Sequence, residues 1–336
     1  MTTVAVGGVI AAAVSGAVGP VALALLRRGD VLDHPSERSS HAVPVPRGGG
    51  VGPAIGALVA LAVTPSLPTS GRWAVVVAAT GFGVVGLTED LVGIRALLRL
   101  AIQFGAAVLA APLLLHSLTG PTVWRGAVVV VTIVWLVAYV NAYNFMDGID
   151  GISVAQAVGA GVTWFLVGRH VDSRILAVGG IVVAGAALGF APFNVPRARM
   201  FLGDVGSYFI GAWLAAVAVL GLRAGVPAEA VLAPLVLYVA DTGTTLLRRV
   251  VRGERWYLPH RDHAYQRLGD AGWSHMQAAG LVAGCIAACG ALGAVSLTGS
   301  TTARVVADAA VAGVIGAYLL APRWLRRNAG SAVVAG

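Results

Sequence analysis

Long apolar runs separated by short polar segments dominate the chain. A membrane-spanning helix needs about 20 apolar residues. Runs near that length occur at 4–26, 50–68, 72–88, 98–116, 124–142, 152–168, 174–192, 206–222, 226–246, 276–297 and 304–321. The third and ninth are the least regular, and Pro65-Ser-Leu-Pro68-Thr-Ser-Gly71 forms a turn-rich break between the second and third. The runs are continuous rather than alternating, which argues against a closed barrel. The pattern predicts an all-α, polytopic transmembrane helix bundle of about 11 spans, a single domain over residues 1–336. No basic stretch precedes residues 4–26, so they read as a retained first span rather than a cleaved leader.

Composition agrees. Hydrophobic residues make up 57% and charged residues 11%, against roughly 25% charged in a soluble domain. The 45 glycines suit helices whose backbones approach closely. There is no lysine, so all 23 positive charges are arginines. With the N-terminus outside, only Arg72, Arg125, Arg169, Arg174, Arg223 and Arg304 fall outside, and the other 17 lie inside. That bias predicts a cytoplasmic C-terminus with a basic tail over 322–336. Twelve of the 15 acids fall on the same cytoplasmic side. Acids contribute little to orientation, so their clustering predicts a functional face. Cys285 and Cys289, four apart in an apolar run, read as small buried residues rather than redox or metal groups.

Five segments carry the polar chemistry on that face. Ionisable groups at the end of a span require a reason, and Asn141-Ala-Tyr-Asn144-Phe-Met-Asp147-Gly-Ile-Asp150-Gly151 places several directly after the run 127–140. Asn141, Asn144 and Asp147 recur every third residue and share a drifting helix face. Their oxygens are of the hard type that Mg²⁺ prefers; a helix-end cap is the bland alternative. Arg38, His41 and Arg47 lie in the loop before Gly48-Gly-Gly50, where backbone N–H groups could cradle phosphate or simply allow a flexible turn. Glu89-Asp90 is an adjacent acid pair, tolerated at a membrane where cations or water compensate it. It reads either as a solvated pair partnered by Arg95 or as catalytic carboxylates. Asn194, Arg197, Arg199 and Asp204 surround the start of the eighth span; Asp204 suits an N-cap, which leaves the arginines unexplained. Finally, Asp241 leads through Arg248 and Arg249 to His260-Arg261-Asp262-His263-Ala-Tyr265-Gln266, a set of charges and rings suited to a nucleotide.

Asn141 to Gly151, Phe193 to Gly206 and His260 to Gln266, in this order and separation, resemble the signature segments of the polyprenyl-phosphate N-acetylhexosamine-1-phosphate transferases. That superfamily includes the phospho-MurNAc-pentapeptide translocase, and the resemblance extends from Asp33 to about His275. The His260 run is most similar to the branch that initiates O-antigen and surface glycans. The resemblance implies transfer of N-acetylhexosamine 1-phosphate from a UDP-sugar to undecaprenyl phosphate in a bacterial plasma membrane, with the site cytoplasmic. It implies Mg²⁺, with Mn²⁺ a second choice. By the resemblance Asp204 would be the first metal ligand, with Asp147 beside it. Asn141, Asn144 and Asp150 belong to the substrate segment, with Asn194 and Arg199 flanking it. Asp90 is one of the paired acids that deprotonate or orient the lipid phosphate, while Glu89 stands where the family usually has Asp, leaving their division of labour open. His260, Arg261 and His263 match the family's donor-side loop, and Arg38 and Arg47 would replace its first-loop lysines. Expected partners are the UDP-N-acetylhexosamine, undecaprenyl phosphate and membrane lipid, with no nucleic acid; a homodimer is left open. A multispan transporter of an anionic substrate is the alternative, although no inverted repeat is apparent.

Overall fold

The structure is a computed structural model that describes residues 2–35, 43–64, 69–255 and 260–334. It is an all-α polytopic membrane bundle. Its helices are α1 (Thr2–Arg28), α2 (Val51–Val63), α3 (Thr69–Val92), α4 (Ala96–Leu114), α5 (Thr122–Met146), α6 (Ile152–His170), α7 (Arg174–Asn194), α8 (Gly203–Arg223), α9 (Ala228–Leu232), α10 (Val236–Val251), α11 (Ala264–Asp270), α12 (His275–Ala294) and α13 (Thr301–Val334). Two two-residue strands, β1 (Leu32–Asp33) and β2 (Val45–Pro46), pair antiparallel.

Nine of these helices are long and apolar enough to cross a membrane. Two predicted segments differ. The second is the 13-residue α2 among the described residues. The ninth is split into α9 and α10 around Ala233–Leu235. Pro234 has no N–H to continue a helix. The broken backbone is satisfied from α6 instead: Gln156 donates to the Pro234 carbonyl at 3.0 Å and the Trp164 indole to the Val231 carbonyl at 2.9 Å. Such internal satisfaction lets a helix break survive at membrane depth.

α8 is the axis of the bundle, buried along nearly its whole length. α3 and α5 pack directly on it, while α7 joins it to α1 and α6. Close approach depends on missing side chains. A Cβ on Gly86 would stand only 2.1 Å from the Asp204 carbonyl oxygen, so Gly86 is what lets the end of α3 reach the start of α8. α1 and α13 keep most of their surface exposed, as expected of helices facing lipid. The two cysteines are free thiols, Cys289 buried and Cys285 half-buried.

Candidate active site

The site is organised around the first turn of α8. A helix begins with N–H groups that lack partners within it, and no side chain of the preceding segment caps this one. Asp90, on the last turn of α3, does so from across the bundle. Its Oδ1 accepts from the Asp204 N–H and its Oδ2 from the Val205 N–H, both at 2.9 Å. The carboxylate is almost fully buried and also meets Arg47 Nε at 2.7 Å. Gly203, with φ +73°, turns the chain here, and a side chain on it would collide with Asp90.

Arg47 is held by main-chain bonds. Phe201 donates to the Pro46 carbonyl at 2.8 Å, and Gly49 and Gly50 donate to the Phe201 and Leu202 carbonyls at 2.9 and 2.7 Å. The glycine run therefore spends at least two of its N–H groups on the segment before α8, so it is a splice and not the open phosphate cradle weighed from sequence. Thus fixed, Arg47 bridges Asp90 to Asp204, reaching Asp204 Oδ2 at 3.0 Å. Burial works against its charge, yet Asp204 and Asp90 more than compensate and hold the guanidinium above its usual pKa.

A second bridge runs parallel to the first. Arg99 on α4 meets Glu89 at 2.9 Å and Asp204 Oδ2 at 3.8 Å, while the other Glu89 oxygen accepts from the Ile94 N–H at 2.7 Å. On the α5 side, Asn144 donates to Asp204 Oδ1 at 2.8 Å and to Ser207 Oγ at 3.0 Å. Asn141 donates to Gln103 Oε1 at 2.6 Å. Asp147 ends α5 and accepts from Ser153 Oγ at 2.6 Å. Burial pushes its pKa up to about 7, although the Ser153 bond and Arg47 pull the other way.

The histidine segment closes the far wall. Asp241, wholly buried on α10, accepts from both the Ala264 N–H and the Tyr318 hydroxyl, at 3.1 and 2.7 Å, and faces His263 Nδ1 at 3.3 Å. Tyr265 donates to the Phe145 carbonyl at 2.9 Å, locking the same segment to α5. His260 packs on His263 with ring centres 5.0 Å apart. Burial, His263 and Arg249 hold His260 down to about 4, so it is neutral near pH 7.

One cavity of about 740 Å³ opens among these groups, with Asp90, Asp147 and Asp241 behind its lining. Arg47, Glu89, Arg99, Asp204, His260 and His263 line its polar part, and Leu97, Leu100, Phe104, Val134, Trp135 and Ala138 continue it as an apolar trough between α4 and α5.

Residues 72–222 match the model of glycosyl transferase family 4. The chain is 32% identical over 294 residues to a decaprenyl-phosphate N-acetylglucosaminephosphotransferase of Mycobacterium leprae, covering 75% of this chain and 73% of that protein. The chain belongs to glycosyl transferase family 4. It is also 27% identical over 257 residues to a probable undecaprenyl-phosphate N-acetylglucosaminyl 1-phosphate transferase of Bacillus subtilis, covering 73% of this chain and 71% of that one. A phospho-N-acetylmuramoyl-pentapeptide-transferase of Lacticaseibacillus paracasei is 29% identical over 216 residues, covering 58% and 65%. The chain is thus a family 4 transferase, and the transporter alternative falls away.

Not every candidate converges on the cavity of this family 4 enzyme. Asp150 pairs with His275 at 3.1 Å. Asn194 is buried and accepts from the Gly151 N–H at 2.8 Å, shaping the turn into α6. Arg199 donates to the Pro192 carbonyl at 2.7 Å and lies over the Phe193 ring. Arg261 lies 3.6 Å from Asp270. None of these four lines the cavity, and neither does Asp147, which is turned to Ser153. Arg38 and His41 lie outside the described residues. The acid pair divides cleanly: Glu89 faces the cavity, whereas Asp90 is buried beneath it as the cap of α8. The sequence places Asp241 and Gln266 in the fifth polar segment without a role of their own, and does not single out Arg99, Ser207 or Tyr318. Arg99 carried a signal, being the basic residue in the helix turn facing an acid pair; Tyr318, from a distant apolar run, carried none.

Proposed function

We propose that the chain transfers N-acetylhexosamine 1-phosphate from a UDP-sugar to a polyprenyl phosphate, in a bacterial plasma membrane with the site facing the cytoplasm. The observation that carries this reading is the cavity itself, where a cluster of arginines, carboxylates and histidines opens directly into an apolar trough between α4 and α5. A phosphate on a long hydrocarbon needs both environments in contact. The named substrates of the Mycobacterium leprae and Bacillus subtilis relatives, a polyprenyl phosphate and N-acetylglucosamine, fit that pairing, and the arginine bias supports the cytoplasmic side.

In the reaction, an oxygen of the lipid phosphate bonds to the sugar-bearing phosphorus of the donor. The bond from that phosphorus to the bridging oxygen breaks, and UMP leaves with its electron pair. Phosphoryl transfer of this type depends on positioning and charge neutralisation more than on a protein nucleophile. Arg47 and Arg99 supply fixed positive charge, His260 and His263 with Gln266 form the wall for the donor, and Glu89 is the cavity carboxylate placed to orient the acceptor or take its proton. Asp90 positions Arg47 and the α8 terminus.

No group of three or more metal-type side chains exists among the described residues. Mg²⁺ does not require one, since it is normally held by one or two carboxylates with waters and substrate phosphates completing its shell. Asp204 and Asp147, the first of which helps to raise the second's pKa, fit that donor set and would hold Mg²⁺ or Mn²⁺. A bound divalent ion would polarise the phosphates and spread their developing charge.

The test is turnover by purified protein with undecaprenyl or decaprenyl phosphate and a panel of UDP-sugars, following UMP. UMP release that requires both substrates is expected, with UDP-N-acetylglucosamine the first donor to examine. Absence of UMP with every UDP-sugar and both metals would remove the proposed reaction.

A further inference from the structure

A second, smaller cavity of about 150 Å³ lies beside the histidine segment and shares no lining residue with the transfer cavity. Arg248 and Arg249 from α10, Arg252 just past its end, Arg267 from α11 and Arg323 from α13 line it, with Asp262 the one acid among them. Charge there is unbalanced. Asp262 and Glu254 both pair with Arg249, at 2.9 and 2.8 Å, and Arg252 reaches Glu254 only at 3.9 Å. Both described carboxylates at this pocket, Asp262 and Glu254, are thus drawn to Arg249, with Arg252 at the edge of the second. Arg249 Nε is buried and makes no hydrogen bond within the protein, a donor that requires an acceptor from elsewhere. Arg248 is set in place by its Nε bond to the Thr244 carbonyl at 3.0 Å. Guanidiniums gathered this closely repel one another unless an anion lies between them, and their planar forks match phosphate oxygens.

The surroundings say which kind of phosphate. Leu247, Val250 and Val251 on α10 and Trp324 on α13 are each more than half exposed. Large apolar side chains exposed next to arginines, with a tryptophan among them, mark the depth at which acyl chains give way to headgroups. A soluble phosphate ligand would not require that apolar flank.

We propose that this pocket binds the phosphate of an anionic membrane-lipid headgroup, clamped by arginines of α10, α11 and α13. The site is separate from the proposed transfer reaction and does not depend on it. It ties Arg323 of α13 to Asp262, the residue immediately before His263.

The test uses the full-length protein and native mass spectrometry, titrating phosphatidylglycerol, phosphatidylcholine and inorganic phosphate. Wild type should retain phosphatidylglycerol in preference to phosphatidylcholine, and equimolar inorganic phosphate should not displace it. Arg252→Gln combined with Arg323→Gln should weaken phosphatidylglycerol binding by roughly 30-fold, the effect of losing two basic residues at an anionic surface. Phosphatidylcholine binding and the melting temperature should be unchanged. Arg252→Lys with Arg323→Lys, which keeps the charge, should recover most of the affinity and guards against loss through misfolding. Equal retention of phosphatidylglycerol by wild type and the Gln variant would overturn the proposal, as would its displacement by equimolar inorganic phosphate.

Discussion

Asp90→Ala removes the carboxylate that caps α8, and its cost can be worked from the contacts. Three bonds disappear together: those from the Asp204 and Val205 N–H groups at 2.9 Å and that from Arg47 Nε at 2.7 Å. Hydrogen bonds to a charged group contribute about 1.5 to 3 kcal/mol each, and removing one partner of a buried ion pair costs about 3 to 5 kcal/mol. Arg47 is one-third exposed, so water recovers part of its loss, and about 4 kcal/mol is expected in total. Asp90→Asn keeps one acceptor and should cost about 2 kcal/mol. At roughly 2 °C per kcal/mol for a chain of this size, the melting temperature should fall by about 4 °C for Asn and about 8 °C for Ala. Glu89→Gln, at the cavity wall, should lower it by no more than about 2 °C while reducing turnover more than Asp90→Asn does. The measurement is thermal unfolding by tryptophan fluorescence in one detergent, paired with UMP release well below the transition. Asp90→Asn with an unchanged melting temperature and no turnover would refute the capping assignment and return Asp90 to the chemistry.

Asp204→Asn should abolish turnover with little change in melting temperature, because Asn144 and the α8 backbone contacts remain; near-normal activity would remove Asp204 as a ligand. Burial lifts Asp147 to about 7, so in the proposed metal site an ion would compete with a proton there below that pH. The metal concentration for half-maximal activity should fall about tenfold per pH unit up to pH 7 and level off above it; a flat profile would contradict this. His260 has the opposite sign. Its folded pKa is depressed to about 4 by burial, His263 and Arg249, so the unfolded chain binds the proton first, and stability is full above about pH 6.5 and lost as pH falls toward 4. His260→Gln should flatten the drop in melting temperature across that window, and an unaltered slope would count against the shift. His263→Ala should raise the donor KM more than the lipid KM, and equal changes in both would argue against a donor wall.

What the sequence revealed and what it hid follow from the range of the interactions involved. Apolar runs of span length and the site segments at their ends are local patterns, so Asn141, Asn144, Asp147, Asp204 and His263 were legible as polar groups where a membrane chain has no structural need of them. The break at Pro234 was only hinted at by the irregularity of the ninth run, because what makes it tolerable, Gln156 and Trp164 on α6 satisfying the interrupted backbone, lies in a distant span. The division between Glu89 and Asp90 was equally hidden. Both are acids at one helix end, and it is the close packing of Gly86 against the Asp204 carbonyl, where a Cβ would stand 2.1 Å away, that brings the end of α3 to the α8 terminus, with Asp90 turned to the backbone N–H groups and Glu89 to the cavity. The same reasoning explains why Asn194 and Arg199 were read as substrate groups. They lie within the segment that delivers Asp204, and sequence proximity cannot separate the residue a wall presents from the residues that hold the wall up. In a site assembled from the ends of α3, α5, α8 and α10, partner choice is fixed by packing between distant spans, so the chemistry present can be read from the chain but the assignment of roles cannot.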